Sequence, residues 1–202
     1  MRSRVARALD SYALLATLLA IPWAWLAFGY LTGRLFYGEM VHASGDWAIW
    51  CLMTALAVTP LHRLFPRQAW TAWLLPRRRY LGVAAFAYAA LHAAVYVLRL
   101  GDLPRILAEA LEAGLLTGWL AFAIFVPLAL TSNNASMRKL GRAWKRLHRA
   151  VYAAAVLSFA HWILVAFDPT AAYLHLAALG AIQAARLAPS ARRLFNLARF
   201  HS

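Results

Sequence analysis

Cysteine and acid are both scarce in this chain. One cysteine, Cys51, stands among 202 residues. A lone thiol closes no internal disulfide, no four-cysteine metal site and no Cys-x-x-Cys-His haem attachment. Cys51 therefore reads as a small apolar residue in a helix. Asp and Glu number 7 against 21 Lys and Arg, giving a formal net charge of +14. So basic a chain can attract nucleic acid. Here, however, the cations fall in clusters between apolar blocks, as topology signals do, and nucleic acid is not expected as a partner. A glycine-rich dinucleotide loop and a phosphate-binding loop are also missing. No stretch remains for a soluble nucleotide-binding domain, so any electron this chain carries must come from elsewhere.

What the chain has is apolar length. It is 63% hydrophobic, with a mean hydropathy of +0.58. An average globular chain is about 45–50% apolar. A span needs about 20 mostly apolar residues. Six segments qualify or nearly do: 11–31, 46–65, 80–99, 114–131, 148–167 and 170–187. The expected fold is an all-α integral membrane protein, a six-transmembrane helix bundle forming a single domain over 1–202. The N-terminal RSRVAR and the apolar run behind it resemble a signal peptide in outline. That run is long enough to span and no small-residue cleavage site follows, so it reads as a retained first helix. Pro22 and Pro127 fall inside spans, where neighbouring helices can satisfy the freed carbonyls. Trp47, Trp70, Trp73, Trp119 and Trp144 fall near predicted ends, as interfacial belts do.

Charge tests this map. With the N-terminus inside, the cytoplasmic side collects Arg2, Arg4 and Arg7, then Arg63, Arg67, Arg77, Arg78 and Arg79. The next inner loop adds Arg138, Lys139, Arg142, Lys145, Arg146 and Arg149, and the tail adds Arg186, Arg192, Arg193 and Arg199. That is 18 of the 21 basic residues; Arg34, Arg99 and Arg105 fall outside. Glu39, Asp46, Asp102, Glu109, Glu112 and Asp168 lie outside or at the outer edge. The pattern is strongly positive-inside and places both termini in the cytoplasm.

Histidines can be placed by depth, because a helix rises about 1.5 Å per residue. His92 lies roughly 18 Å from the inner edge of the third span, and His161 roughly 20 Å along the fifth. The two match in depth, in the outer half of the bilayer, on helices running in the same direction. Two neutral imidazoles across a gap suit the axial positions of a haem iron. A lone intramembrane histidine can instead hydrogen-bond to a neighbouring helix. Two at one depth, with no intramembrane acid to partner them, favour haem. His148 sits at the cytoplasmic edge. Thirteen residues turn about 220° beyond whole turns, so His148 and His161 do not share a face of a straight helix. His62 has the depth to oppose His148 across a second, inner cofactor. His175 rivals His92 and His161 for the outer site. His42 and His201 look exposed and are assigned nothing. A transporter or proton path using these histidines as relays would lack haem, and the paucity of intramembrane acids argues against it.

The blocks VTPLHRL (58–64), RRRYLGVAAFAYAALHAAVY (77–96) and TSNNASMRKLGRAWKRLHRAVY (131–152) resemble the ferric-reductase-like transmembrane family. More narrowly, they are similar to the haem-binding membrane subunits of bacterial methionine-sulfoxide reductase systems. The likeness runs from about His42 to Arg193. It implies a six-helix bundle in the bacterial inner membrane that holds haem b, one or two per chain, at positions that are here His92, His148 and His161. It implies electrons passing outward from the quinone pool or a cytoplasmic flavin reductase. The implied acceptor is MsrP, a periplasmic molybdenum-cofactor reductase that repairs oxidised proteins. FMN is implied by resemblance alone. The chain departs from related haem reductases at Arg78, which stands fourteen residues before His92 where they carry a second histidine. Two bis-histidine haems on those two helices are therefore excluded, and His62 is not expected at that family position. Arg77, Arg78 and Arg79 read first as topology anchors and second as partners of haem propionates, a flavin phosphate or a docking flavoprotein. Arg138, Lys139 and Arg142 carry the same two readings. Trp144 reads as an interfacial anchor or as a ring stacked near a cofactor. A ferric- or cupric-reductase-like cytochrome with another outer acceptor is the nearest alternative.

Overall fold

A computed structural model describes residues 12–184. The N-terminal arginines, the tail arginines, His201 and the last residues of the sixth expected span lie outside the described residues. Ten α-helices are described: α1 (Tyr12–Leu31), α2 (Tyr37–Leu64), α3 (Ala69–Leu74), α4 (Arg78–Leu100), α5 (Leu103–Glu109), α6 (Ala113–Leu130), α7 (Asn134–Leu140), α8 (Arg142–Arg149), α9 (Val151–Val165) and α10 (Thr170–Ala184). A 3-10 turn, Leu75–Arg77, joins α3 to α4. The protein is an all-α, multi-pass membrane protein. Five stretches of helix are long and apolar enough to cross: α1, α2, Ala69–Leu100, α6 and Arg142–Val165. The described part of α10 has 15 residues, short of a full span.

Breaks between helices follow local chemistry. Gly101 caps α4 at φ +63°, a left-handed conformation that glycine adopts without strain. Asp102 then opens α5 by accepting from the Arg105 amide at 3.2 Å, with Pro104 in the first turn. Beyond it, Glu109 accepts from Tyr96 Oη at 2.9 Å and pairs with Arg105 at 2.7 Å, tying α5 back onto α4. Arg105 first, then Tyr96, holds the Glu109 carboxyl below the usual carboxylate range.

Pro60 lies inside α2. It has no amide proton, so the Leu56 carbonyl one turn back loses its usual partner. Gln183 on α10 supplies one, donating Nε2–H to Leu56 O at 3.1 Å. Beside Pro22, the buried Tyr88 donates its hydroxyl to Leu19 O at 2.8 Å. Pro60 is thus tolerated because a neighbouring helix re-satisfies the freed carbonyl.

Two helix pairs form the bundle. α2 packs most closely on α4, and α6 on α9. Small residues permit the second pairing: a Cβ at Gly114 would come within 2.8 Å of Val165. Trp47 and Trp119 also pack against neighbouring helices. Trp47 stacks on Tyr88 at 5.5 Å, and Trp119 packs edge-on against Tyr96 at 6.3 Å.

Arg77 is buried, 3% exposed. Its guanidinium lies 4.1 Å from the Trp73 ring and 4.8 Å from the Tyr12 ring, and donates to Trp73 O at 2.7 Å. It fastens α1 to the α3–α4 corner. Arg77→Ala is expected to cost about 2–4 kcal/mol, since it removes two cation–π contacts and a buried charge-assisted hydrogen bond. Unfolding in detergent measures this.

Candidate cofactor site

Two cavities lie where the α2/α4 pair faces the α6/α9 pair. The outer one, about 390 Å³, is lined by His92, His161, Gly45, Gly118 and Trp119 among others. The inner one, about 370 Å³, is lined by Arg78, Arg79, Lys145, His148, Arg149 and Trp144 among others. Leu52 and Phe125 line both and separate them.

His92 and His161 meet in the outer cavity. Their ring centroids are 6.0 Å apart and the rings stand at 88°. Each is oriented by the partner helix of its own pair. His92 Nδ1 lies 3.0 Å from Val41 O on α2, and His161 Nδ1 lies 2.8 Å from Gly114 O on α6. A carbonyl oxygen only accepts, so in both rings the proton sits on Nδ1 and Nε2 carries the free lone pair. Metal-ligating histidines are commonly fixed this way. Ser44 Oγ, 3.4 Å from His92 Nδ1, donates to Met40 O at 2.7 Å.

Glycine provides the room. A Cβ at Gly118 would lie 2.7 Å from His161 Nδ1, and one at Gly45 would lie 3.4 Å from His92 Nδ1. Two imidazoles ligating one iron from opposite sides place their ring centroids roughly 6 Å apart, given metal–nitrogen bonds of about 2 Å. The observed spacing, the free Nε2 atoms and the apolar walls fit a haem between two histidines.

His148 belongs to the inner cavity. Its Nε2 lies 3.0 Å from Thr131 Oγ1, and its ring stacks on Trp144 at 3.9 Å. The Thr131 hydroxyl donates to Pro127 O at 2.6 Å, so towards His148 it accepts, and the His148 proton sits on Nε2. Trp144 Nε1 donates to Thr131 O at 2.9 Å, closing a three-residue cluster. Trp144 is therefore a ring stacked on a candidate ligand. Arg78 donates to Thr59 Oγ1 at 2.7 Å and Arg79 to Asn134 Oδ1 at 2.6 Å, both at the inner cavity. Arg77 is held elsewhere, between Trp73 and Tyr12.

The structure does not bring His62 and His148 to one cavity. His62 Nδ1 pairs with Thr71 Oγ1 at 3.1 Å, beside α3. His175 lies behind Trp162, 5.3 Å between ring centroids, with its Nδ1 donating to Ala171 O at 2.7 Å. It does not line the outer cavity. Among the described residues no group of three or more His, Cys, Asp or Glu is placed to hold a bare metal ion. Sequence reading missed Gly45, Gly118 and Thr131, whose roles depend on which helices pair.

The model of the ferric reductase like transmembrane component matches residues 44–159. The chain belongs to this family. The match includes His92 and His148 and stops two residues short of His161. A relative in Brucella ovis is 37% identical over 175 residues, 83% of this chain and 77% of that protein. Another, in Herminiimonas arsenicoxydans, is 36% identical over 149 residues, 70% of this chain and 66% of that protein. Both are named as the heme-binding subunit MsrQ of a protein-methionine-sulfoxide reductase. No solved structure matches the chain.

Proposed function

We propose that the chain is a haem b electron-transfer subunit of the bacterial inner membrane. In this reading it serves a methionine-sulfoxide reductase that repairs oxidised periplasmic proteins. The observation that carries the reading is the convergence of His92 and His161, 6.0 Å apart, with both Nδ1 atoms committed to carbonyls. Similarity to subunits named MsrQ supplies the system in which it would act.

Haem supplies reversible one-electron chemistry when bound. The residues do the rest. His92 and His161 would hold the iron through their uncommitted Nε2 atoms, and with two histidines bound substrate would find no open place there. Backbone carbonyls hold the rings, which limits rearrangement when charge changes. The mostly apolar lining keeps the surroundings of the cofactor low in dielectric. The chain would thus conduct electrons and leave sulfoxide reduction to its partner.

At the inner cavity, Arg78, Arg79, Lys145 and Arg149 suit an acidic edge, either the propionates of a second haem or the phosphate of FMN. His148 is the imidazole available there, and Arg78 stands at the family's lost histidine position. In this reading the basic clusters mark the inner side, both termini are cytoplasmic and α10 completes six spans. Quinol or a cytoplasmic flavin reductase would be the donor, and the molybdenum-cofactor reductase MsrP the periplasmic acceptor.

Reconstitution into quinol-loaded vesicles tests this. Methionine-sulfoxide reduction should require the chain, the donor and MsrP together. Ferric-chelate reduction without MsrP would instead point to a reductase with another outer acceptor.

A further inference from the structure

Asp46 is an acid that the reading above leaves unused. From its position at the start of an apolar run it is expected at the outer edge. α2, however, begins at Tyr37, nine residues earlier, and carries Asp46 into the bundle. Its neighbour Gly45 packs on the His92 ring, at 3.4 Å from an added Cβ to Nδ1. Asp46 therefore sits at the depth of His92, and it lines the same outer cavity. Among the described residues its carboxylate makes no hydrogen bond and no ion pair. An unpaired acid at that depth is costly and marks a functional position.

We infer that Asp46 is a redox-linked proton acceptor of the outer cavity, taking up one proton from the outer side when the cofactor there gains one electron. The inference rests on that cavity holding haem between His92 and His161. In the balanced step, a one-electron reductant converts ferric to ferrous iron, and the Asp46 carboxylate binds one proton to become the acid. Reduction removes one positive charge from a low-dielectric cavity, which leaves the nearby carboxylate less stabilised and raises its proton affinity.

A route for the proton is visible. His42 lies one turn from Asp46 towards the outer end of α2, is exposed, and lines the cavity mouth. The groups facing Asp46 can be named element by element. α2 offers His42 and Tyr37, α4 offers His92 and Tyr96, α9 offers His161, and α10 offers His175. α6 offers Trp119, which does not titrate. His92 and His161 would be committed to the iron and are held by Val41 and Gly114, and the tyrosines are ordinarily neutral at working pH. Asp46 is the carboxylate in the set.

The test is a spectroelectrochemical titration of the haem-loaded protein at several pH values. Asp46 should titrate at a higher pH with the cofactor reduced than with it oxidised, and below the window between those two pH values the potential should be flat. Within it the potential should fall by up to about 59 mV per pH unit, the tenfold conversion for one electron. In Asp46→Asn the slope should vanish and the potential should stay near the wild type's low-pH limit. Asp46→Glu should keep a slope. If Asp46→Asn keeps the full wild-type slope, the propionates are the acceptor and the inference is wrong. A pH-independent wild type would also overturn it. Redox-difference infrared spectra need no variant: reduction should add a protonated-carboxyl band that shifts in D₂O, and its absence would count against Asp46. Failure to bind haem at all would overturn the functional reading instead.

Discussion

Replacing His161 by alanine is expected to weaken haem binding at the outer cavity on the order of 100-fold or more. Second-sphere changes around ligating histidines already cost about 10–100-fold in metal affinity, and this change removes the ligand itself. The backbone should tolerate it. His161 is half-buried against Gly118 and Gly114 on a helix whose packing is otherwise apolar. Haem that remained would have one histidine and an open position, and its low-spin spectrum would convert to high-spin. Added imidazole should restore part of the low-spin signal, because the space left is the shape of the ring removed. His92→Ala should behave alike. A His161→Ala protein with the full haem content and low-spin spectrum of the parent would mean that iron is held elsewhere.

The second large effect is at Gly118, a residue that carries no chemistry. A Cβ there would lie 2.7 Å from His161 Nδ1 and 3.0 Å from Cε1. Real contacts do not come that close, so the ring must move. It would then lose its 2.8 Å bond to Gly114 O, which fixes the tautomer. Gly118→Val adds two further methyl groups to the same space. Haem retention through dilution and wash should fall at least about tenfold, the lower end of second-sphere effects. Gly45→Ala is the matched control. Its Cβ would meet His92 Nδ1 at 3.4 Å and Cε1 at 3.5 Å, near ordinary contact, and a loss under tenfold is expected. Equal retention in Gly118→Val and the parent would show that the His161 pocket is looser than its geometry.

Much of this was legible in the chain because helical rise is fixed. The matching depths of His92 and His161 follow from counting along two spans, and the structure brings those rings together. The turn of about 220° between His148 and His161 holds only for a straight helix; the chain breaks between Arg149 and Val151, both residues face the same interface, and depth alone puts them in different cavities. Other features were not legible because they belong to pairs of helices. The carbonyls of Val41 and Gly114 set both tautomers, yet nothing in their local sequence marks them. Gly118 looks like any membrane glycine until α6 is laid against α9. The start of α2 was misjudged for a different reason. Hydropathy falls at Asp46, and by charge the span closes there. Backbone hydrogen bonding is indifferent to that charge, so the helix continues to Tyr37 and takes the acid with it. Trp47 and Trp119 look like belt residues by position. Their ring partners Tyr88 and Tyr96 lie on another helix.

The central claim is that this membrane chain holds haem between His92 and His161. A reduced-minus-oxidised visible spectrum of the detergent-purified protein, with haem quantified per chain, tests it most directly. A low-spin b-type spectrum with at least one haem per chain is the result expected. A colourless protein from haem-replete cells would contradict the account and return the histidines to a relay or purely structural role.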